Sequence, residues 1–241
     1  MEPVQYLEAI ESDTGALVAA ADAAGLDAEV PSCPDWKVAD LLAHIGRVQR
    51  WAAGNAVRAP KDGFWAGDEI AIPDPPERAA WVRDGVESLV AVLDRPPDDP
   101  AWTFVAPPTV GFWQRRQAHE VAMHRVDAEL ASGEVAAMDP ALAADGIDEL
   151  LWLLPRRPWA RPITGTGETV HLHCTDVEGE WLIEFTPAGV EVERVHAKGD
   201  LALRGSASDL LRWCSGRGPV EPLEVFGDQA RLVMFRATTT F

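Results

Sequence analysis

The chain has 241 residues, 47% hydrophobic and 25% charged, which suits one large globular domain or two modest ones. Its formal net charge of −18 and pI near 4.6 repel phosphate backbones and anionic lipid, which argues against nucleic acid and membrane as partners and reads as solubility. No apolar run approaches ~18 residues, Met1-Glu2-Pro3 begins no basic-then-apolar leader, and Cys33, Cys174 and Cys214 are odd in number and far apart, so a reducing cytoplasm is expected.

Residues 4–24 read as a first helix, because Val4, Leu7, Ile10, Leu17, Val18 and Ala21 recur near helical spacing before Gly25 stops it. Pro31-Ser32-Cys33-Pro34-Asp35-Trp36 is a rigid turn, with Asp35 as a cap for a second helix over about 37–57. Residues 58–76 form a Pro- and Gly-rich loop carrying Phe64 and Trp65. Loops of that length often act as lids or binding loops. A third helix follows over about 77–93. A second Pro-rich loop, 95–109, carries Trp102 and Phe104, and Trp65 and Trp102 are candidates for the mouth of a pocket, against plain loop packing. A fourth helix runs over about 110–131, and the four together predict a bundle.

From Gly133 to Pro140 the chain changes character. One more helix is expected over 141–154. Pro155, Pro158, Pro162, Gly165 and Gly167 then break it. Beyond them the period becomes two, over 169–174, 181–185 and 190–195, with a further strand at 201–205. Ser206-Ala207-Ser208-Asp209 caps a short helix through Trp213. Residues 224–235 predict a terminal turn and helix. This second part is α+β with an antiparallel sheet.

The chemistry concentrates in the fourth helix. Glu120 and His124 are four apart and share a face, and Asp127 joins them. His119 points about 100° away. If the second helix packs here, His44 completes a set of two imidazoles and one carboxylate. That set suits a divalent metal, zinc first, with a position left open. The plain alternative is a surface Glu–His pair and an unrelated core histidine. His119-Glu120 with His124 is not the His-Glu-x-x-His of zinc proteases, because the second histidine comes one position late. His171 and His173 alternate on one strand face and read as a solvated sheet surface. Gly165-Thr166-Gly167 lacks the rest of a phosphate loop. Ser206 and Ser208 lack the surroundings of a serine nucleophile.

Trp36-Lys37-Val38-Ala39-Asp40-Leu41-Leu42-Ala43-His44-Ile45-Gly46 resembles the second-helix motif of the mycothiol-dependent maleylpyruvate isomerase family, and Ala118-His119-Glu120-Val121-Ala122-Met123-His124-Arg125-Val126-Asp127-Ala128-Glu129 resembles its fourth-helix motif. Asp145-Gly146-Ile147-Asp148-Glu149, the stretch Gly199 to Leu211, and Val225-Phe226-Gly227-Asp228 are similar to its C-terminal portion. The resemblance implies a DinB-like four-helix bundle over 1–139 and a smaller domain over 140–241 similar to sterol carrier protein 2. It also implies a divalent metal, usually zinc, on His44, Glu120 and His124, with mycothiol as co-substrate. Lys37 departs from the Ser or Thr that often caps the second helix in the family.

The activity so implied is S-transfer or maleylpyruvate-type cis–trans isomerisation, in which a metal-activated thiolate attacks a small electrophile. A non-catalytic metal- or thiol-binding module and a metal-dependent hydrolase are the rivals. Asp127 is the candidate to orient a liganding histidine. Arg47, Arg204 and Arg217 are candidates to bind carboxylates of thiol or substrate, with plain surface charge as the alternative for each. A monomer or homodimer is expected.

Overall fold

The computed structural model describes residues 1–156 and 163–239. Pro158 and Pro162, expected as chain breakers, lie outside the described residues. The chain forms two compact units, Met1–Ala136 and Ala137–Phe241.

The first unit is a four-helix bundle: α1 (Pro3–Ala24), α2 (Val38–Ala56), α3 (Arg78–Leu93) and α4 (Val110–Ser132). α1 packs chiefly on α4, and α2 on α3. α1 buries Tyr6, Ile10, Thr14, Leu17, Val18 and Ala21 on one stripe, while Val4 of the expected apolar set stays exposed. Leu41, Leu42 and Ile45 of α2 meet that stripe in the core.

α2 and α3 cross closely at Gly46. A Cβ there would lie 2.3 Å from the Trp81 ring. Arg50 reinforces the crossing, donating to the Gly46 and Trp81 carbonyls at 3.0 Å each with its guanidinium 4.2 Å from the Trp81 ring centre. The two long loops are pinned by aromatic contacts. Trp65 packs on Gly54, and the fully buried Asn55 holds its backbone from both sides. Phe64 meets Trp102 at 5.2 Å. Trp65 and Trp102 therefore anchor loops onto the bundle.

α4 is buried on most of its circumference, although it carries many polar residues. Each buried charge has a partner. Arg125 meets Asp13 at 3.1 Å and Glu129 at 2.7 Å, and Glu129 accepts the Ala136 N–H. Gly133 ends the helix in the left-handed conformation that favours glycine, with φ +92°.

The second unit opens with α5 (Pro140–Leu153), capped by the Asp139 side chain at the Leu142 N–H. Its sheet has the order β3-β2-β1-β4-β5, from β1 (Glu168–Cys174), β2 (Glu180–Thr186), β3 (Gly189–Glu193), β4 (Leu201–Gly205) and β5 (Glu224–Gly227). α6 (Ala207–Cys214) and α7 (Arg231–Thr239) complete it. Trp181, Ile183, Phe185, Leu172, Leu203 and Trp213 are buried here.

Two expectations are corrected. The sheet is mixed, because β1 and β4 run parallel while the other pairings are antiparallel. The reason lies in the register. Glu193 at the end of β3 pairs with Leu182, Leu182 with His171, and His171 with Ala202. β3 thus stops in the row where β4 begins, and residues 194–200 only have to cross the sheet. The stretch expected as a turn and helix starts instead with β5, an edge strand on β4. Four residues are too short to display a period.

Cys174 and Cys214 are buried. Burial is the main cause that pushes each thiol up to about 12. At neutral pH both stay protonated and inert, so an alkylating reagent is expected to label Cys33 first, as peptide mapping would show. The folded pKa lies above the ordinary value of 9.0. The stability this gives is complete below pH 9 and is lost as pH rises through about 12. Prompt alkylation of Cys214 in folded protein would contradict it.

Candidate metal centre

Two antiparallel helices build the site. His44 and Trp51 are seven apart on α2, and Trp113 and Glu120 are seven apart on α4, so each pair shares a helix face. His44 meets Glu120, and two turns further Trp51 meets Trp113 at 5.2 Å. The same seam carries apolar packing at one end and the polar cluster at the other.

His44 Nε2 and His124 Nε2 each lie 3.3 Å from the same oxygen, Glu120 Oε1. All three candidate ligand atoms fall within 4.8 Å of one another. Ligands of a tetrahedral zinc, about 2.0 Å from the ion, sit roughly 3.3 Å apart. The two 3.3 Å distances match that spacing, so the donor set fits a divalent cation in size as well as in chemistry. Side-chain exposure falls from 33% at His44 to 11% at His124, so the cluster opens on the His44 side.

The surroundings hold these groups in place. Asp127 is fully buried and lies 2.7 Å from His124 Nδ1. An Nδ1–H donated to it leaves Nε2 directed at Glu120, the usual arrangement behind a liganding histidine. Asp127 is itself gripped by the turn before α2, where the Ser32 hydroxyl donates to Oδ1 and the Cys33 thiol to Oδ2 at 3.6 Å. Trp36 from the same turn stacks on His124 at 6.4 Å and lies 5.0 Å from His44. Arg116 donates to the other oxygen of Glu120 at 3.1 Å.

Burial opposes ionisation of Glu120, but hydrogen bonds from His124 and His44 and the charges of His124 and Arg116 hold its pKa well below the carboxylate range. Burial likewise opposes the His124 imidazolium, and Asp127 and Glu120 overcome it, raising the pKa to about 9.

His119 points away, edge-on to Tyr6 of α1 at 6.3 Å. Arg47 is exposed, one turn along α2 from His44. Arg204 and Arg217 belong to the second unit, where Arg204 pairs with Glu224 at 2.9 Å and Arg217 donates to the Ser215 carbonyl. Lys37 reaches Asp27 instead of capping α2, and Asp40 accepts the Lys37 N–H in its place. Ser32, Cys33, Trp36 and Arg116 belong to the site although no metal-ligand spacing in the sequence points to them. The rigid Pro31 to Trp36 turn is the available signal.

Among curated proteins none matches the chain. Two solved structures of a mycothiol-dependent maleylpyruvate isomerase, one of them a point mutant, share the fold with a TM-score of 0.66. They cover 93% of this chain and 93% of their own, at 13% and 12% identity. The family description "Mycothiol maleylpyruvate isomerase N-terminal domain" matches residues 7–129, and its C-terminal counterpart matches 141–233. The first match alone takes in more than half the chain and includes all three of His44, Glu120 and His124. The chain therefore belongs to the mycothiol maleylpyruvate isomerase family.

Proposed function

We propose that the chain catalyses thiol-dependent cis–trans isomerisation of a small electrophilic alkene, with mycothiol as the thiol and a divalent metal, zinc first, on His44, Glu120 and His124. The observation that carries this reading is the single Glu120 oxygen facing two imidazoles at 3.3 Å. A cation bound there would favour thiolate over thiol at neutral pH, where a free thiol of pKa about 8.5 is mostly protonated.

The chain's own residues do the rest. Asp127 fixes the ring and tautomer of His124. Arg116 holds Glu120 by its second oxygen. Trp36 packs beside the two imidazoles. Arg47, exposed one turn along α2 from His44, is the candidate to meet a carboxylate of the substrate. Addition of the thiol sulfur to one alkene carbon leaves a single bond that rotates, and elimination returns the thiol and the trans alkene. Where elimination fails, the same addition is an S-transfer. A reducing cytoplasm, where a small thiol stays reduced, is the compartment this reading requires.

The test is turnover of a panel of cis-alkenes and other electrophiles with and without mycothiol, on protein of measured metal content. Turnover that needs the thiol is expected. Equal rates without it would overturn the proposal, and product formed by water alone would select a hydrolase.

A further inference from the structure

We propose that His171, Glu180 and His196 form a second site for a divalent transition-metal ion, in the C-terminal unit and separate from the one on the helix bundle. His171 and His173 alternate on one face of β1, and Glu180 on β2 is the cross-strand partner of His173. His196 comes from the segment that crosses this face between β3 and β4. Glu180 Oε2 lies 2.6 Å from His196 Nδ1 and 3.5 Å from His171 Nε2. Its other oxygen lies 2.9 Å from His173 Nδ1. The ligand atoms of His171, Glu180 and His196 all fall within 4.8 Å of one another.

The face is not the solvated surface that the alternation suggests. His171 is 5% exposed, because the crossing segment lies over it. That segment is tied down at both ends. Arg194 reaches Asp148 at 3.4 Å and lies over Trp181, while Asp200 and Thr169 exchange two hydrogen bonds. Gly199 sits so near the His171 backbone that a Cβ would come within 2.9 Å of its nitrogen.

Three imidazoles here face one carboxylate. Two of them take its oxygens at hydrogen-bonding distance, and His171 Nε2 is left buried without a hydrogen-bond partner. A buried ring nitrogen with no partner is costly. A cation shared with His196 and Glu180 satisfies it. His173 then orients the carboxylate through its second oxygen. A pocket of about 340 Å³, lined in part by Glu180 and His196, adjoins the cluster. Two imidazoles and a carboxylate select zinc, cobalt or nickel over magnesium or calcium.

The full chain, stripped of metal, is titrated with Zn²⁺ by calorimetry and with Co²⁺ by visible absorption. To isolate the second site, the titration is repeated on His44→Ala/His124→Ala protein. One zinc is expected to remain, and adding His196→Ala or Glu180→Gln should weaken it by at least about 100-fold. His196 is exposed on the surface, so its loss should leave the circular dichroism unchanged. Magnesium should not compete. If the bundle binds no metal, the parent takes one ion, and its dependence on His196 and Glu180 still supports the second site. Absence of micromolar zinc binding in the His44→Ala/His124→Ala protein, or affinity unmoved by both His196→Ala and Glu180→Gln, would overturn it.

Discussion

Glu120→Gln is expected to lower thiol-dependent turnover by about 10³-fold, equivalent to about 4 kcal/mol of transition-state stabilisation. The substitution keeps the side chain's shape but removes the charge that two imidazoles share. It also removes the charge that Arg116 meets at 3.1 Å. Bound metal should fall in parallel, read by elemental analysis of the same sample. Asp127→Asn should act more mildly, costing about 10- to 100-fold in metal affinity, because it changes a group behind His124 and not a candidate ligand. Cys33→Ser supplies the control. A serine hydroxyl can still donate to Asp127, so turnover should be largely retained. If Cys33→Ser removed activity as completely as Glu120→Gln, the attacking sulfur would belong to the protein.

Trp113→Ala is expected to destabilise the first unit by about 3–5 kcal/mol. The side chain is fully buried and touches Trp51, Phe104 and Phe112. Its indole N–H donates to the Trp102 carbonyl at 2.6 Å, so the cavity comes with an orphaned acceptor. For a unit of this size the unfolding temperature should drop by roughly 10 °C or more, measured calorimetrically. Trp113→Phe keeps most of the ring packing and should lose about 1 kcal/mol with the hydrogen bond. Equal, small losses for both variants would mean that the α2–α4 seam is held elsewhere.

The sequence displayed some of this and hid the rest, for physical reasons. Helices α1, α2 and α3 were legible because each buries a stripe with a 3.6-residue period, and α1 does so even though Val4 is exposed. His44, Glu120 and His124 were legible as a set because helical spacing fixes which side chains share a face. Ser32, Cys33 and Trp36 were not, since a turn has no period from which direction can be read. The parallel pairing of β1 with β4 depends on where a crossing segment lands, which alternation within a strand does not encode. The same crossing buries His171, whose own neighbours suggested a wet surface.

Gly46 and His44 stand two residues apart on α2, about 200° around the helix, and so face opposite neighbours. On one side the Trp81 ring fills the space a Cβ would need; on the other, His44 faces Glu120. α2 is therefore a spacer whose thickness is set at one point by a hydrogen atom. A methyl group at position 46 would push the helix off α3 and carry the His44 imidazole toward α4. The gap between His44 and Glu120 is thus gauged by α3, a helix that contributes no candidate ligand, and a substitution there would be felt as a change of fit at the candidate metal centre.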